Sequence, residues 1–224
     1  MSTSADALDG RDLIRAYLPR TLVARWSAHP DDTPVWHETL TGSLMHCDMS
    51  GFTAMSERLA GRGKEGAELM AGVLNGFFDR MLRIADGWGG VQMKFGGDAM
   101  LLYFGGDEHA ARAAACGLEM QRAMPEFHRV EVAGETYGFL MRAGIHSGAF
   151  FSASAGDPSG VLHYLLMGRD VSRSAATEAE AQPGQVAASE PSASLLRGRA
   201  RLVQQGHVWQ VRSVDVPERP RPSE

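Results

Sequence analysis

The chain has 224 residues, of which 44% are apolar and 22% are charged. This length and composition are typical of a globular protein with one domain of ordinary size and some peripheral segments. The formal net charge of −5 offers no basic footprint for nucleic acid or for an anionic membrane surface. We therefore expect no nucleic-acid partner.

Cysteine usage and the N-terminal sequence favour a cytoplasmic location. Cys47 and Cys116 lie inside apolar runs, and no spacing of Cys or His predicts a zinc site, so both are predicted to be reduced core residues. The N-terminus is polar and lacks the apolar region of a signal peptide. No apolar run is long enough to span a bilayer, so we expect no membrane segment.

The composition divides the chain into three parts. Residues 1–38 are predicted to form an N-terminal tail and a lead-in helix, because apolar residues recur at helical spacing between Asp12 and Trp26, interrupted by Pro19. Residues 39–214 are predicted to form the main domain. Residues 215–224 are rich in proline and charge and are predicted to be a flexible C-terminal tail.

The first part of the main domain combines a strand, a carboxylate and a helix start. Residues 42–48 form a mostly apolar segment that predicts a strand ending at Asp48, and Gly51-Phe52-Thr53 leads into a helix. The free N–H groups at a helix start attract an anion, and a carboxylate can hold a bridging metal ion. This order of elements predicts a site for a cation and a phosphate.

A hairpin with a second carboxylate follows a long amphipathic helix. The helix is predicted over residues 63–86, and residues 91–104 then form two short apolar segments joined by Gly96-Gly97-Asp98. A tight glycine turn between apolar segments predicts a β-hairpin. Asp98 would lie at its tip, with Lys94 four residues earlier.

The rest of the chain alternates further helices and strands. The strand from residue 138 is predicted to turn at Ser147-Gly148. The order predicts an α+β protein with a ferredoxin-like βαββαβ core, an antiparallel or mixed sheet with helices on one face, and peripheral strands. The predicted elements are a helix over 109–124, strands over 138–146, 149–152 and 161–167, a helix over 170–181, a strand over 185–189 and a strand pair over 201–211.

Asp48 and Asp98 carry the predicted chemistry. In a βαββαβ core their positions belong to adjacent central strands, so the two carboxylates can converge. Two convergent carboxylates beside a glycine turn and a helix start suit Mg²⁺ or Mn²⁺ on a polyphosphate. Phosphoryl or nucleotidyl transfer needs charge neutralisation and positioning, which such a site supplies.

Four motifs carry a resemblance to a known family. They are Cys47-Asp-Met-Ser-Gly-Phe-Thr53, Lys94-Phe-Gly-Gly-Asp98, Arg142-Ala-Gly-Ile-His-Ser-Gly148, and Gly168-Arg-Asp-Val171 with its following helix and residues 183–189. In order and spacing, residues 42–189 resemble the catalytic domain of class III adenylate/guanylate cyclases. The wording around both aspartates is most similar to the first-type domain of the soluble, bicarbonate-responsive adenylyl cyclase branch.

The resemblance implies a reaction and its metal ligands. It implies that ATP is converted to 3′,5′-cyclic AMP and pyrophosphate at a dimer interface, with two Mg²⁺ or Mn²⁺ ions. Asp48 and Asp98 would be the catalytic carboxylates and would hold both ions, with the backbone carbonyl of Met49 as a further ligand. One ion would lower the pKa of the ribose 3′-hydroxyl that attacks the α-phosphate.

The resemblance also implies the residues that bind the substrate. The N–H groups around Gly51, Phe52 and Thr53 would hold the triphosphate. Gly97 would lie against the substrate in the hairpin turn. Lys94 matches the lysine that reads adenine across the dimer interface.

The chain departs from the family pattern in the helix after Gly168. Active homodimers have an asparagine and an arginine where this chain has Ser172 and Ala176, and Leu165 replaces the aspartate that reads adenine. Arg169 and Arg173 do not fall at the arginine's position. Because a lost charge-stabilising donor costs on the order of 100-fold in rate, a homodimer would be weak. We expect full activity with a second cyclase domain that supplies Asn and Arg.

Two other functions remain open from the sequence. The chain could be a catalytically weak or inactive cyclase-like module that binds nucleotide and regulates a partner. The Gly96-Gly97-Asp98 turn also resembles the turn of diguanylate cyclases, although Ala99-Met100 follows it where that family has Glu-Phe. His146 is expected to be structural.

Overall fold

The computed structural model describes residues 18–215 and 218–220. Helix α1, Arg20–Ala28, begins directly after Pro19, whose carbonyl accepts hydrogen bonds from the N–H groups of Leu22 and Val23 at 2.9 and 3.2 Å. The proline takes the position before the helix, where its missing N–H costs nothing. Residues 12–17 of the predicted lead-in helix lie outside the described residues, as do residues 216–217 and 221–224 of the predicted tail.

The domain is built on one large mixed sheet. Its described strands are β1 Trp36–Ser50, β2 Val91–Gly96, β3 Ala99–Gly105, β6 Leu140–Gly156, β7 Leu162–Met167, β8 Val186–Ala188, β9 Ala200–Gln205 and β10 Val208–Val214, while β4 Val130–Val132 and β5 Glu135–Tyr137 form a separate hairpin. The strands of the large sheet run in the order β2-β3-β1-β6-β8-β10-β9, and β7 pairs with β6. All pairs are antiparallel except β6 with β8, which is the parallel pair expected of a βαβ unit.

The helices and the mixed sheet confirm the predicted α+β fold, and most helices lie close to their predicted bounds. The long amphipathic helix ends within one residue of its predicted end. No helix among residues 18–215 is both long and apolar enough to cross a membrane. The helices after α1 are α2 Phe52–Ala60, α3 Gly63–Gly87, α4 His109–Ala123 with a 3₁₀ turn at Met124–Phe127, α5 Arg169–Ala179 and α6 Glu190–Leu196.

The core lies on both faces of the sheet. Met45, Cys47 and Ile145 alternate along β1 and β6 and pack with α3 and α4, and Cys116 of α4 joins them. Both cysteines are free and buried, as predicted. The opposite face carries a smaller cluster that includes Phe150, and α5 lies there, which differs from the expectation of helices on one face.

The predicted turn at Ser147-Gly148 is wrong, because β6 runs unbroken through it. Strand β1 is fifteen residues long and pairs with β6 over its whole length, with Gly148 opposite Gly42. The ladder of a long partner strand outweighs the local turn preference of Ser-Gly. Gly148 serves another purpose, since a Cβ there would overlap the Asp170 carboxylate.

Helix α6 and the β4–β5 hairpin were not predicted. Strands of three residues are too short for alternation to be visible in the sequence. The sequence does contain a helix-start signal for α6, because Ser189 precedes the helix and Pro191 lies in its first turn. The Ser189 hydroxyl does not cap the helix but bonds His146 Nδ1 at 2.8 Å.

Candidate active site

The structure brings Asp48 and Asp98 to the same end of the sheet. Asp48 lies near the end of β1, and its cross-strand partner is Ala99, the residue that directly follows Asp98. Burial raises the pKa of the Asp98 carboxyl, and the negative charge of Asp48 raises it further. A pair of carboxylates whose charges repel in a partly buried setting is relieved by a cation.

Arg142 is a site residue that the sequence reasoning left unassigned. It lies directly opposite Asp48 in the β1–β6 ladder and donates from Nη2 to Asp48 Oδ2 at 3.1 Å. Its Nε also forms an ion pair with Glu178 of α5, a side chain that is only 11% exposed. Burial raises the pKa of Glu178, and Arg142 opposes the shift. The sequence signal for Arg142 as a site residue is that it begins the Arg142–Gly148 family motif.

The start of α2 leaves its N–H groups free of side-chain partners. Gly51 precedes the helix with φ +99°, and a Cβ there would lie 2.6 Å from the carbonyl oxygen of Gly138, so both backbone conformation and space require glycine. Among the residues that the structure describes, no side chain caps the helix, and its first turn contains no acidic residue. Thr53 is exposed and Phe52 is half-buried against the core. The helix start is therefore open to an anion.

The hairpin presents Asp98 at a two-residue turn, as the sequence predicts. Gly97 has φ +68°, whereas Asp98 has no positive φ, which is the pattern of a type II′ turn with glycine first. A Cβ at Gly97 would meet nothing within 4 Å, so only the backbone conformation favours glycine there. Lys94 is exposed, and the pairing register of β2 with β3 shifts between Gln92 and Lys94, which marks a β-bulge there.

Lys94 lines a pocket of about 560 Å³ that also includes Ala99, the residue directly after Asp98. Leu165 and Tyr164 of β7 line the same pocket, so the residue at the place of the family's adenine-reading aspartate shares a cavity with Lys94. His46 also lines it, and burial lowers the pKa of this imidazole. The lining is otherwise mostly apolar, which suits the faces of a planar base.

The donor set fits a hard divalent cation. Among residues 18–215 and 218–220, no group of three or more His, Cys, Asp or Glu side chains could hold a metal. The Met49 side chain is buried in the core, so this residue would bind a metal ion through its main-chain carbonyl. Mg²⁺ typically takes one or two carboxylates and completes its shell with water and substrate phosphates, and Asp48 and Asp98 meet that need.

The outer face of α5 carries no group of comparable charge at the two family positions. Ser172 and Ala176 are both exposed there, as are Arg169 and Arg173. Arg173 is engaged with Asp170 Oδ1 at 3.2 Å within the same helix. The two positions at which the family has an asparagine and an arginine therefore hold Ser172 and Ala176 here, as the sequence analysis states.

Comparison with solved structures defines the class of fold. The adenylyl cyclase CyaB from P. aeruginosa is 22% identical with a TM-score of 0.67, and the match covers 84% of this chain and all of that one. The guanylyl cyclase domain of RhoGC from Blastocladiella emersonii is 21% identical with a TM-score of 0.67, covering 80% and 98%. The guanylate cyclase domain of RhGC from Catenaria anguillulae, solved with GTP, is 20% identical with a TM-score of 0.64, covering 79% and 99%. The fold is that of a class III nucleotidyl cyclase domain.

The sequence assigns the family more directly. Residues 37–217 match the family described as the adenylate and guanylate cyclase catalytic domain. The chain belongs to this family. No curated protein matches it in sequence.

Proposed function

We propose that this domain converts ATP to 3′,5′-cyclic AMP and pyrophosphate, using two divalent cations at a dimer interface. One observation carries the proposal: the Asp48–Asp98 carboxylate pair lies beside the uncapped start of α2. A cation site and an anion site that adjoin in this way match a metal–triphosphate substrate.

Each residue has a role that follows from its position. Asp48, Asp98 and the carbonyl of Met49 would hold the ions. Bound there, divalent ions would neutralise phosphate charge and lower the pKa of the ribose 3′-hydroxyl. The N–H groups at Gly51, Phe52 and Thr53 would orient the triphosphate so that the 3′-oxygen bonds to the α-phosphorus as the bond to pyrophosphate breaks.

The base would occupy the pocket beside the hairpin. Lys94 offers hydrogen-bond donors at its rim, and Gly97 allows close approach at the turn. Leu165 removes the carboxylate that would pair with this lysine in the family pattern. We assign ATP as the substrate because the motifs around both aspartates resemble the first-type domain of the soluble adenylyl cyclase branch.

A partner domain completes the site in this proposal. The exposed methyl group of Ala176 has no donor, and the short hydroxyl of Ser172 has no charge, so neither replaces the family's arginine at the phosphates. A homodimer would bind metal and nucleotide but turn over slowly. A heterodimer with a domain that carries Asn and Arg at these positions would be fully active.

The test is a cyclase assay with Mn²⁺ and ATP, on the chain alone and mixed with a cyclase domain that carries Asn and Arg. We expect cyclic AMP in the mixture, and a loss on the order of 100-fold or more in Asp48→Ala. Asp79→Ala, in an exposed ion pair of α3, is the control and should keep wild-type activity. Product that persists in Asp48→Ala would contradict the assignment.

The second candidate is a nucleotide-binding module without turnover. The exposed Ser172 and Ala176 favour it, because they remove the transition-state donors while the metal side stays intact. The same assay separates the two functions. Nucleotide binding that depends on Asp48, with no cyclic AMP even in the mixture, would establish the module.

A further inference from the structure

Four alternate residues of β6 all meet α5. Neighbours two apart on a strand point to the same face, and Arg142, Gly144, His146 and Gly148 occupy the face on which α5 lies. We call these four residues the docking strip. It coincides with the polar and glycine positions of the Arg142–Gly148 motif.

The glycines of the strip let the helix approach closely. A Cβ at Gly144 would overlap the backbone of Thr177 and Glu178 near the end of α5. A Cβ at Gly148 would overlap the carboxylate of Asp170 in the first turn. Both ends of α5 therefore lie against strand backbone.

The two polar residues of the strip pair with the two ends of α5. His146 Nε2 lies 3.3 Å from Asp170 Oδ1, and its Nδ1 is held by the Ser189 hydroxyl at 2.8 Å. The other oxygen of Asp170 accepts the N–H of Ala149 at 3.1 Å. At the far end of the helix, Arg142 pairs with Glu178. These contacts fix α5 against rotation and sliding.

Arg142 connects the docked helix to the carboxylate pair. Its guanidinium is shared between Glu178 Oε1 and Asp48 Oδ2, the latter at 3.1 Å. When Glu178 holds part of the guanidinium, less of its charge neutralises Asp48. If α5 moved away, Arg142 would be left with Asp48 alone and would compete with a cation for that carboxylate.

We infer that His146 and Asp170 are positioning residues, which dock α5 on the strip and thereby keep Asp48 available to a divalent cation through the shared Arg142. The docking follows from the contacts alone, and its effect on the cation rests on the proposed function. A partner domain that binds α5 would then change how readily Asp48 of the same chain binds a divalent cation.

The test uses variants distant from the carboxylate pair. Asp170→Asn retains an oxygen for the Ala149 N–H but loses the charge that faces His146, and His146→Gln is a second, independent change. Asp79→Asn on α3 is the matched control, because it neutralises an aspartate whose partner, Arg83, also lies on its own helix at 3.0 Å. Two quantities are measured: amide hydrogen exchange across α5, and Mn²⁺ affinity without nucleotide.

We expect both variants to speed exchange across α5 and to weaken Mn²⁺ binding, each by roughly 2- to 150-fold, which is the coupling range of neighbouring polar groups converted to an equilibrium constant. The control should change neither quantity. Unchanged exchange in Asp170→Asn would overturn the docking role. Faster exchange with wild-type Mn²⁺ affinity would overturn the link through Arg142.

A failure of the proposed function is distinguishable from a failure of this inference. If the wild-type chain binds no Mn²⁺, or binds it equally in Asp48→Ala, the metal assignment and the link both fall. The exchange measurement still decides whether His146 and Asp170 dock α5, because it requires neither metal nor turnover.

Discussion

The carboxylate end of the sheet and the outer face of α5 differ in how much chemistry they hold. At the carboxylate end, Asp48, Asp98 and Arg142 meet around the open start of α2. On the outer face of α5, Ser172 and Ala176 are exposed. The carboxylate end gathers charged groups at one place, whereas the two family positions on α5 present a hydroxyl and a methyl group, with Arg169 and Arg173 exposed beside them.

The two regions also differ in what maintains them. The carboxylate end is built from strand register and two glycine conformations, so it is defined inside one chain. In the proposed function, the outer face of α5 acquires a role in catalysis only opposite another domain. On that proposal, the chain carries one half of a reaction site.

Supplying the missing groups on α5 should have the largest effect on the isolated chain. In the double variant Ser172→Asn with Ala176→Arg, both new side chains start from exposed positions. If two copies of the chain form the interface, we expect cyclic AMP synthesis to rise on the order of 100-fold, the value of a charge-stabilising donor. The rate with Mn²⁺ and ATP measures it.

The control for that gain is Ala179→Arg, which adds the same charge at another exposed position of α5. It should leave the rate unchanged. An equal gain in the control would show that positive charge on the helix, not its placement, is responsible.

Substituting the glycine at the start of α2 should destabilise the fold more than substituting the glycine of the hairpin turn. Gly51→Ala combines a left-handed φ with a Cβ 2.6 Å from a carbonyl oxygen, and we expect a loss of roughly 2–4 kcal/mol in unfolding free energy. Gly97→Ala has the positive φ and no close contact, so about 1 kcal/mol is expected. Denaturant unfolding of both variants gives the comparison, and equal losses would contradict the close approach at Gly51.

The smallest expected effect is a pH dependence that both regions share. Burial lowers the pKa of His46, beside the carboxylates, and of His146, under α5. The unfolded chain then binds more protons than the native one below about pH 6.5, so stability is greatest above that pH and falls as the pH decreases through it. Asp98 and Glu178 have raised pKa values and act in the opposite sense, but only in the lower range where carboxyl groups titrate.

Thermal unfolding at pH 7.5 and pH 6.0 measures this dependence. We expect a lower midpoint at pH 6.0, and a smaller difference in His46→Asn, which cannot titrate. A midpoint that rises on acidification would show that the histidines are not held neutral in the native protein.

Much of the carboxylate end could be predicted from the sequence because its signals are local. The glycine turn before Asp98 specifies a hairpin, and the Gly51–Thr53 segment specifies a helix start after a strand. Lys94 and Leu165 could be named, but their shared pocket depends on the β6–β7 hairpin meeting the β2–β3 hairpin, and the two are far apart in the chain.

The sequence by itself determined the order of elements, the family motifs and the two carboxylates, since these depend on turn chemistry and periodicity within short segments. Only the tertiary structure decided that β6 passes straight through Ser147-Gly148, that α5 crosses the second face of the sheet, and that Arg142 is shared between Asp48 and Glu178. The physical reason is that these features depend on contacts between residues far apart in the chain. Asp48 and Arg142 are separated by 94 positions, and only the register of two long strands brings them side by side.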